Sequence, residues 1–426
     1  MLDMRIYLGK LGGTDYKLRL ERGENNNTLI VGMAGTGKTT FMKTILYRMA
    51  VNKIDENILI LDFTGEYAGL PGFKTLVPGI DFYVNPFELP FPMNRDIIFY
   101  FIRYVFGKEV TPIQYYILSE LISKYDNIKD IVRGLRDDLA EARDEGWRNA
   151  YASIFNRLLP LSEIEAIQKT TDIPDGYIHL NLAYMGGQEQ LFFSIITLHY
   201  LYYLAKLGKY SAILVIDEAE KIALPIRSET QLTRNIVTQI IDELRKYGLY
   251  IFLISHTLSR LDPEVRNNCR NLFIFRLQDT NDVRLASEMT FTNPLTIRSL
   301  QRFTCIHCDP YSTYIGLKLK IDVERKAYIE FKPTKPIKFF EEIFEKARKT
   351  LLKSTNDKNE IRLLSNPLKL KEIYRFYKGG IQNIEVDGIY IIEENGGKRL
   401  TNLSKKICKK LDKKITDIQN KGKIIN

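Results

Sequence analysis

Residues 28–40 read TLIVGMAGTGKTT, a short apolar run that leads directly into a glycine-rich loop and then into helix-forming sequence. The loop fits the pattern G-x-x-x-x-G-K-[ST] at every fixed position, from Gly32 to Thr39. Glycines there let backbone N–H groups surround phosphates, and the amino end of the following helix adds a positive dipole. The alternative is a chance glycine-rich turn, but the strand before the loop and the helix after it favour phosphate binding.

The loop predicts both cofactors, ATP and Mg²⁺. Lys38 would neutralise the β- and γ-phosphates, Thr39 would ligate Mg²⁺, and Thr40 is an additional contact to the α-phosphate. The predicted nucleotide-binding residues are Gly32, Ala34, Gly35, Thr36, Gly37, Lys38, Thr39 and Thr40.

A second acidic motif follows about 180 residues later. Residues 212–216 form an apolar run that ends in Asp217 and Glu218. Asp217 would hold Mg²⁺ through water, and Glu218 would act as the general base that polarises the attacking water. The alternative is a strand-end acid that caps the next helix.

Two further strand ends carry polar side chains. Asp62 ends the run NILILD, and His256 follows the run LYIFLIS. Because the carboxyl ends of parallel strands meet at one crevice, Asp62 could hold the water or Mg²⁺ shell and His256 could sense the γ-phosphate. The alternative for His256 is an ordinary local hydrogen bond.

The order of predicted elements indicates an α/β protein with a parallel sheet covered by helices. We predict a β-hairpin segment at residues 1–27, an ATPase domain at 28–335 with an all-helical insertion at about 94–171, and a basic domain at 336–426. Within these, strands are predicted at 5–8, 16–20, 28–31, 57–62, 177–182, 212–217, 249–255 and 271–276, and helices at 39–50, 191–205, 235–247 and 338–352.

Composition is that of a globular chain, with 45% hydrophobic and 27% charged residues among 426, which excludes a disordered, collagen-like or coiled-coil chain. The net charge of +10 is confined to the last 94 residues, which hold 22 Lys and Arg against 12 Asp and Glu. The remaining residues hold 40 of each. A segregated basic segment favours a polyanionic partner, nucleic acid first and a membrane surface second; a solubilising lysine-rich tail is the alternative.

Four cysteines are too few for a disulfide scaffold and fit a reducing cytoplasm. The sequence Cys305-Ile306-His307-Cys308 lacks a second pair, so we interpret it as structural, not metal-binding. The longest uncharged stretch, 190–205, has 16 residues, which is short of the roughly 20 that span a bilayer. We therefore expect a buried helix and no direct membrane insertion, although peripheral membrane association remains compatible with the sequence.

The segments VGMAGTGKTT, LDFTGEY, VNPFEL, LVIDEAEK and ELRKYGLYIFLISHTLSRLDPEVRNNCRNLFIFRL resemble the HerA/FtsK superfamily of hexameric DNA-pumping ATPases across about residues 28–332. The resemblance implies a RecA-like P-loop core, a homo-oligomeric ring, and ATP-driven movement of double-stranded DNA. It also implies that Arg245 reaches the neighbouring subunit's nucleotide as an arginine finger, with Arg270 and Arg276 in reserve; a surface arginine is the alternative. Ser255-His256 replaces the family's usual Thr-Gln. The larger barrel that usually precedes this core is expected to be absent or reduced to the hairpin.

The basic C-terminal segment resembles a winged helix, because a predicted hairpin around Gly396-Gly397 precedes the helix 403–411. It would offer phosphates a set of basic side chains. These are Arg375, Lys378, Lys398, Arg399, Lys405 and Lys406. The alternative is a protein-docking domain with a solvated lysine face.

Two other functions stay open. One is a conjugation or type IV secretion-like ATPase that acts on membrane-channel partners; the other is a replication-initiator ATPase. A nuclease is a further candidate partner of a DNA motor. The Lys-, Ile- and Tyr-rich composition suggests a thermophilic archaeal, plasmid or viral source.

Overall fold

The computed structural model describes residues 3–21, 23–89, 93–106, 110–167, 170, 173–183, 185–225, 235–243, 245–309, 315–329, 336–377, 389–394 and 397–422. The chain divides into two compact units. The first comprises residues 1–159 and 166–333, and the second comprises 160–165 and 334–426.

The described residues of the first unit form a mixed sheet of eleven strands. In chain order these are β1 Asp3–Leu11, β2 Thr14–Glu21, β3 Thr28–Val31, β4 Asn57–Asp62, β5 Lys74–Leu76, β6 Tyr177–Asn181, β7 Ala212–Ile216, β8 Leu249–Ser255, β9 Asn271–Ile274, β10 Thr304–Cys308 and β11 Leu317–Ile321. Their order across the sheet is β2-β1-β11-β10-β9-β3-β8-β7-β4-β6-β5. The seven strands from β9 to β5 are parallel, and β10, β11, β1 and β2 continue the sheet in antiparallel pairs.

The central strands are buried along their whole length. Every residue of β3, β7, β8 and β9 is buried, as expected for parallel strands that are covered on both faces. The N-terminal hairpin belongs to the same layer, because Gly9 of β1 pairs with Ile321 of β11. Its inward side chains Ile6 and Leu18 join the core beneath β3. The hairpin is therefore an extension of the central sheet.

Helices connect the strands of residues 1–333. Their bounds are α1 Lys38–Val51, α2 Met93–Phe106, α3 Pro112–Lys124, α4 Ile128–Glu141, α5 Glu145–Ser162, α6 Gly187–Lys206, α7 Ile236–Glu243, α8 Pro263–Asn267, α9 Thr280–Thr290, α10 Pro294–Arg298 and α11 Arg325–Ile329. Helices α2 to α5 lie between β5 and β6. Helix α3 begins with the predicted capping box between Thr111 and Gln114.

The uncharged stretch 190–205 lies in α6, whose side chains are mostly buried in the first unit. None of the helices in the described ranges is both long enough and apolar enough to cross a membrane. All four cysteines are buried, and none of them forms a disulfide within the described residues. Within β10, the imidazole of His307 is hydrogen-bonded to the hydroxyl of Tyr16 at 2.6 Å and to the carbonyl of Leu272 at 3.2 Å, which gives it a structural role.

The second unit has its own small core. Its elements are α12 Pro336–Ser354, α13 Lys358–Leu364, α14 Pro367–Tyr377, β12 Ile391–Glu394, β13 Gly397–Leu400 and α15 Asn402–Gly422. Strands β12 and β13 form an antiparallel hairpin in which Ile391 pairs with Leu400. Apolar side chains from α12, α13 and α15, among them Phe344, Leu363 and Leu411, are fully buried together. The hairpin lies between α14 and α15 in the chain.

Candidate nucleotide-binding site

Four neighbouring strands deliver the predicted site residues to one edge of the sheet. Strands β3, β8, β7 and β4 are adjacent and parallel, so their carboxyl ends lie together. The glycine-rich loop 32–37, here called the P-loop, follows β3, and His256 follows β8. Asp217 follows β7, and Asp62 ends β4. The P-loop is joined to β8 by a hydrogen bond from the Gly32 N–H to the Ser255 carbonyl at 3.3 Å.

Two glycines of the P-loop are required by space and by conformation. A Cβ on Gly32 would lie 2.5 Å from Cβ of Phe275, and one on Gly37 would lie 2.6 Å from the ring of Phe303. Gly37 also has a φ of 107°, which side chains rarely adopt. Both glycines are therefore required for the close packing of the P-loop against Phe275 and Phe303.

Lys38 is buried at the centre of the site. Its ammonium group donates to the carbonyls of Gly32 at 2.6 Å and Met33 at 3.3 Å, and to Nδ1 of His256 at 3.1 Å. Burial lowers the pKa of Lys38, and the nearby carboxylates of Asp217 and Glu220 oppose that shift. The side chains of Lys38 and His256 are thus in contact. Their predicted roles both require the terminal phosphate to lie next to this contact.

Asp217 is a buried carboxyl group beside a second carboxylate. Burial, reinforced by the negative charge of Asp62, raises the pKa of Asp217 to about 7. A divalent cation would offset both effects. An aspartate and a threonine hydroxyl are ligands that suit Mg²⁺, and the hydroxyl of Thr39 has no recorded hydrogen bond within the described ranges. The side chains present at this edge therefore fit a bound Mg²⁺–nucleotide.

The carboxylate of Asp62 is hydrogen-bonded to neighbouring groups of the protein. Its carboxylate accepts hydrogen bonds from the backbone N–H groups of Thr64, Gly65 and Tyr67 and lies 2.9 Å from Nε2 of His179. Burial alone would raise the pKa of Asp62, but the hydrogen bonds, led by that of His179, lower it to about 2. In this arrangement Asp62 orders the loop 63–67 and places a fixed negative charge near Asp217. A contact with the Mg²⁺ shell stays a prediction.

The acidic residues after β7 carry constraints that the sequence did not reveal. Glu218 has a left-handed backbone with a φ of 54°, and its carboxylate pairs with the ammonium of Lys221 at 2.5 Å. The carboxylate of Glu220 accepts a hydrogen bond from the backbone N–H of His256 at 3.4 Å. Its other carboxylate oxygen is buried without a hydrogen-bond partner in the described ranges. Glu220 is therefore a fourth acid at this edge of the sheet, after Asp62, Asp217 and Glu218.

The three arginines proposed from the sequence differ in their surroundings. The predicted helix 235–247 is shorter in the structure, where α7 ends at Glu243. Arg245 begins the short 3₁₀ turn Arg245–Tyr247, and its side chain lies outside the described residues. Arg270 pairs with Asp309 at 3.2 Å and with Glu24 at 3.4 Å. Arg276 lies beside the P-loop of its own chain, since its carbonyl accepts the Met33 N–H at 2.9 Å. Its Nε is buried without a partner in the described part of the chain.

The basic residues proposed for the second unit are only partly described. Lys378 lies outside the described residues, as do the side chains of Arg375 and Lys398. Arg399 and Lys405 are exposed. Lys406 lies 3.0 Å from the buried carboxylate of Glu360, so its charge is partly neutralised within the unit.

Comparison with known proteins finds a matching family model, a curated relative and solved structures of similar fold. Residues 6–187 match the family model for the central domain of helicase HerA. The predicted resemblance to HerA-type ATPases is confirmed. A curated relative, the DNA double-strand break repair helicase HerA of Sulfolobus acidocaldarius, is 23% identical over 316 residues. That alignment covers 67% of this chain and 62% of the relative, so this chain spans less than two thirds of the relative's length.

Solved structures show the same fold. VirB4 of Thermoanaerobacter pseudethanolicus superposes with a TM-score of 0.60 at 15% identity, over 76% of this chain and 98% of that chain. The plasmid coupling protein TrwB, solved in complex with ADP and Mg²⁺, has a TM-score of 0.56 at 15% identity, over 76% of this chain and 91% of that chain. This chain therefore has the α/β fold of RecA-like P-loop ATPases, as predicted.

Proposed function

We propose that this protein hydrolyses ATP and uses the energy to move double-stranded DNA. The observation that carries the proposal is the convergence of Lys38, Asp217, Glu218 and His256 at the carboxyl ends of adjacent parallel strands. The HerA family match and the P-loop ATPase fold support it.

The side chains divide the work of hydrolysis. Lys38 would exchange its carbonyl and imidazole contacts for the β- and γ-phosphates. Thr39 and Asp217 would hold Mg²⁺, which would neutralise charge on the phosphate oxygens. Glu218 accepts the proton of the attacking water, which requires that its pairing with Lys221 be released. His256 then donates to the γ-phosphate oxygens from the strand end.

The site is proposed to be completed by a neighbouring subunit. In a hexameric ring, Arg245 would approach the phosphates bound by the next subunit and stabilise charge that develops during transfer. Arg270 is a poorer candidate because Asp309 and Glu24 already pair with it. Arg276 contacts its own P-loop and so supports a role within one subunit.

The second unit is proposed to contact DNA as a winged-helix-like domain, separate from the ATPase domain at about residue 335. The supports are the concentration of all excess positive charge in this part of the chain and its helix–hairpin–helix order. Lys405 and Arg399 are its exposed basic candidates among the described side chains.

The test is steady-state ATP hydrolysis by the full chain with and without double-stranded DNA across a range of salt. We expect stimulation by DNA that weakens as salt rises, and at least a 100-fold loss of activity in Lys38→Ala. Arg245→Ala should lose hydrolysis but keep ATP binding, and mixing it with Lys38→Ala should restore part of the activity. Hydrolysis that DNA does not change at any salt concentration would overturn the motor, and full activity in Lys38→Ala would overturn the ATPase.

A second candidate is an ATPase that acts on membrane-channel partners, as in conjugation or type IV secretion. The specific support is the superposition on nearly the whole of the VirB4 chain. Stable recovery of the protein with membranes in its native host, together with an absence of DNA stimulation, would favour this candidate. A nuclease partner would instead fit the DNA motor.

A further inference from the structure

Phe303 lies against the P-loop on the side of β9 and β10. Its backbone N–H donates to the carbonyl of Thr36 at 3.1 Å, and its carbonyl accepts the N–H of Ile321 at 2.9 Å. Its ring occupies the space that a side chain on Gly37 would need. The position of Phe303 relative to the P-loop is thus fixed from two directions.

The backbone of Phe303 is in a conformation that disfavours a bulky residue. It is the third residue of a turn closed by a hydrogen bond from the Thr304 N–H to the Gln301 carbonyl, and its φ is 61°. Glycine or asparagine is preferred there. Strain of this kind is concentrated at functional sites, and Glu218 at the same edge of the sheet is also left-handed. Because this turn position favours glycine or asparagine, the turn does not explain why residue 303 is a phenylalanine.

Arg302 covers the ring of Phe303. The guanidinium carbon lies 4.7 Å from the ring centroid, a cation–π distance, and the Arg302 side chain is exposed. Among the described residues no carboxylate is recorded within ion-pair distance of it. The pair therefore presents a flat guanidinium face to solvent at the edge of the P-loop.

The sheet order indicates which end of a nucleotide would meet this pair. Strands β8 and β7, which carry His256 and Asp217, lie on one side of β3, and β9 and β10 lie on the other. A triphosphate that places its γ end at His256 must direct its nucleoside to the opposite side of the P-loop. Phe303 precedes β10 on that side and contacts Gly37 there.

We propose that Arg302 and Phe303 form the nucleoside subsite, in which the base stacks on the outer face of the Arg302 guanidinium and Phe303 supports that face from behind. The inference rests on the proposed binding of a nucleotide at the P-loop. Stacking on a guanidinium or aromatic face responds to the area of the base more than to its hydrogen-bonding edge. The subsite therefore favours purine over pyrimidine nucleotides.

The experiment compares the affinity of the full chain for ADP with its affinity for pyrophosphate, which lacks the nucleoside. Arg302→Ala removes the stacking plane, and Phe303→Leu removes the aromatic support but keeps an apolar side chain. Each should weaken ADP about tenfold, which corresponds to about 1.4 kcal/mol, and change pyrophosphate by less than about twofold. The parent protein should also bind ADP more tightly than CDP.

Phe291→Leu is the matched control, because Phe291 is also left-handed but 72% exposed at the end of α9. It should leave both affinities unchanged, whereas Lys38→Ala should weaken both. Unchanged ADP affinity in Arg302→Ala and Phe303→Leu would overturn the subsite while nucleotide binding stands. Equal losses for ADP and pyrophosphate would show that Phe303 only supports the loop, which also overturns it. Failure of the parent to bind either ligand would overturn the proposed function as well. Should Phe303→Leu not fold, Arg302→Ala, an exposed change, decides the test.

Discussion

The ammonium group of Lys38 lies 3.1 Å from Nδ1 of His256, although 218 positions separate the two residues in the chain. This contact joins the end of β8 to the P-loop and places an imidazole where the terminal phosphate is expected. The contact also gives the buried ammonium group a third acceptor, which reduces the cost of burying it.

If His256 contacts the γ-phosphate, its loss should affect hydrolysis more than binding. We expect His256→Ala to lower kcat by about 10- to 100-fold because a donor to the transferred group is removed. The affinity for ATP should change by less than about threefold. His256→Gln, which keeps a hydrogen-bond donor at the strand end, should recover much of the lost rate. Steady-state kinetics and equilibrium ATP binding check this, and an unchanged kcat in His256→Ala would contradict it.

The roles of Asp217 and Glu218 predict different defects. Glu218→Gln should bind ATP normally but lose about 10²- to 10⁴-fold in kcat, since the base is removed and the shape is kept. Asp217→Asn should instead weaken the Mg²⁺ dependence of nucleotide binding. The matched control is Glu288→Gln, an exposed residue of α9 that is paired with Arg284. Equal rates for Glu218→Gln and the parent would assign the base elsewhere, with Glu220 as the next candidate.

Glu360 predicts an acid-sensitive contribution to stability in the second unit. Burial would raise its pKa, but hydrogen bonds from Lys410, Thr355 and Lys406 outweigh burial and lower the pKa to about 2. Because the folded pKa is below the ordinary value of 4.5, the contribution is present above about pH 5 and is lost as the pH falls toward 2. We expect Glu360→Gln to cost about 1–2 kcal/mol at pH 6, a modest figure because both lysines are substantially exposed.

Thermal unfolding followed by circular dichroism at pH 6 and pH 3 measures this difference, which should shrink at the lower pH. Lys410→Met is the second single variant of a double-mutant cycle with Glu360→Gln. The double variant should lose less stability than the sum of the two single losses. Additive losses that do not depend on pH would show that Glu360 acts through packing alone.

Lys405 and Lys406 are neighbours with different surroundings, which gives a sharp test of DNA binding by the second unit. If exposed Lys405 contacts a phosphate, Lys405→Ala should reduce the slope of log affinity against log salt by about 0.9. Lys406→Ala should reduce it less, because Glu360 already compensates that charge. Fluorescence anisotropy of a labelled duplex in a salt titration measures both slopes. Identical slopes in the parent and Lys405→Ala would remove Lys405 from the interface.

Much of the first unit was predictable from local sequence. Strands β3, β4 and β8 have the predicted bounds, and α1 differs from prediction by one residue at each end. These elements are short segments with a local apolar pattern, so their burial can be predicted from residues that are close together in the sequence. The capping box before α3 was recognised for the same reason, because its two partners are three positions apart.

Other elements were missed because their signals are not local. Strand β11 alternates exposed and buried residues over only five positions, and it becomes a strand by pairing with both β10 and β1. The predicted helix 235–247 divides into α7 and a 3₁₀ turn, although its apolar spacing is regular. Local periodicity could not reveal that the N-terminal hairpin and the C-terminal strands of the first unit join one sheet.

The amino-acid sequence by itself determined that a phosphate-binding loop lies between a buried strand and a helix, and that acids follow two other buried strands, because each of these signals spans only a few consecutive residues. The tertiary structure alone decided that Phe303 covers Gly37, that Glu218 pairs with Lys221 in a left-handed backbone, and that His179 holds Asp62. The physical reason is that strand order in a sheet and side-chain rotamers set distances between residues far apart in the chain. A pattern of consecutive residues contains no information about those distances.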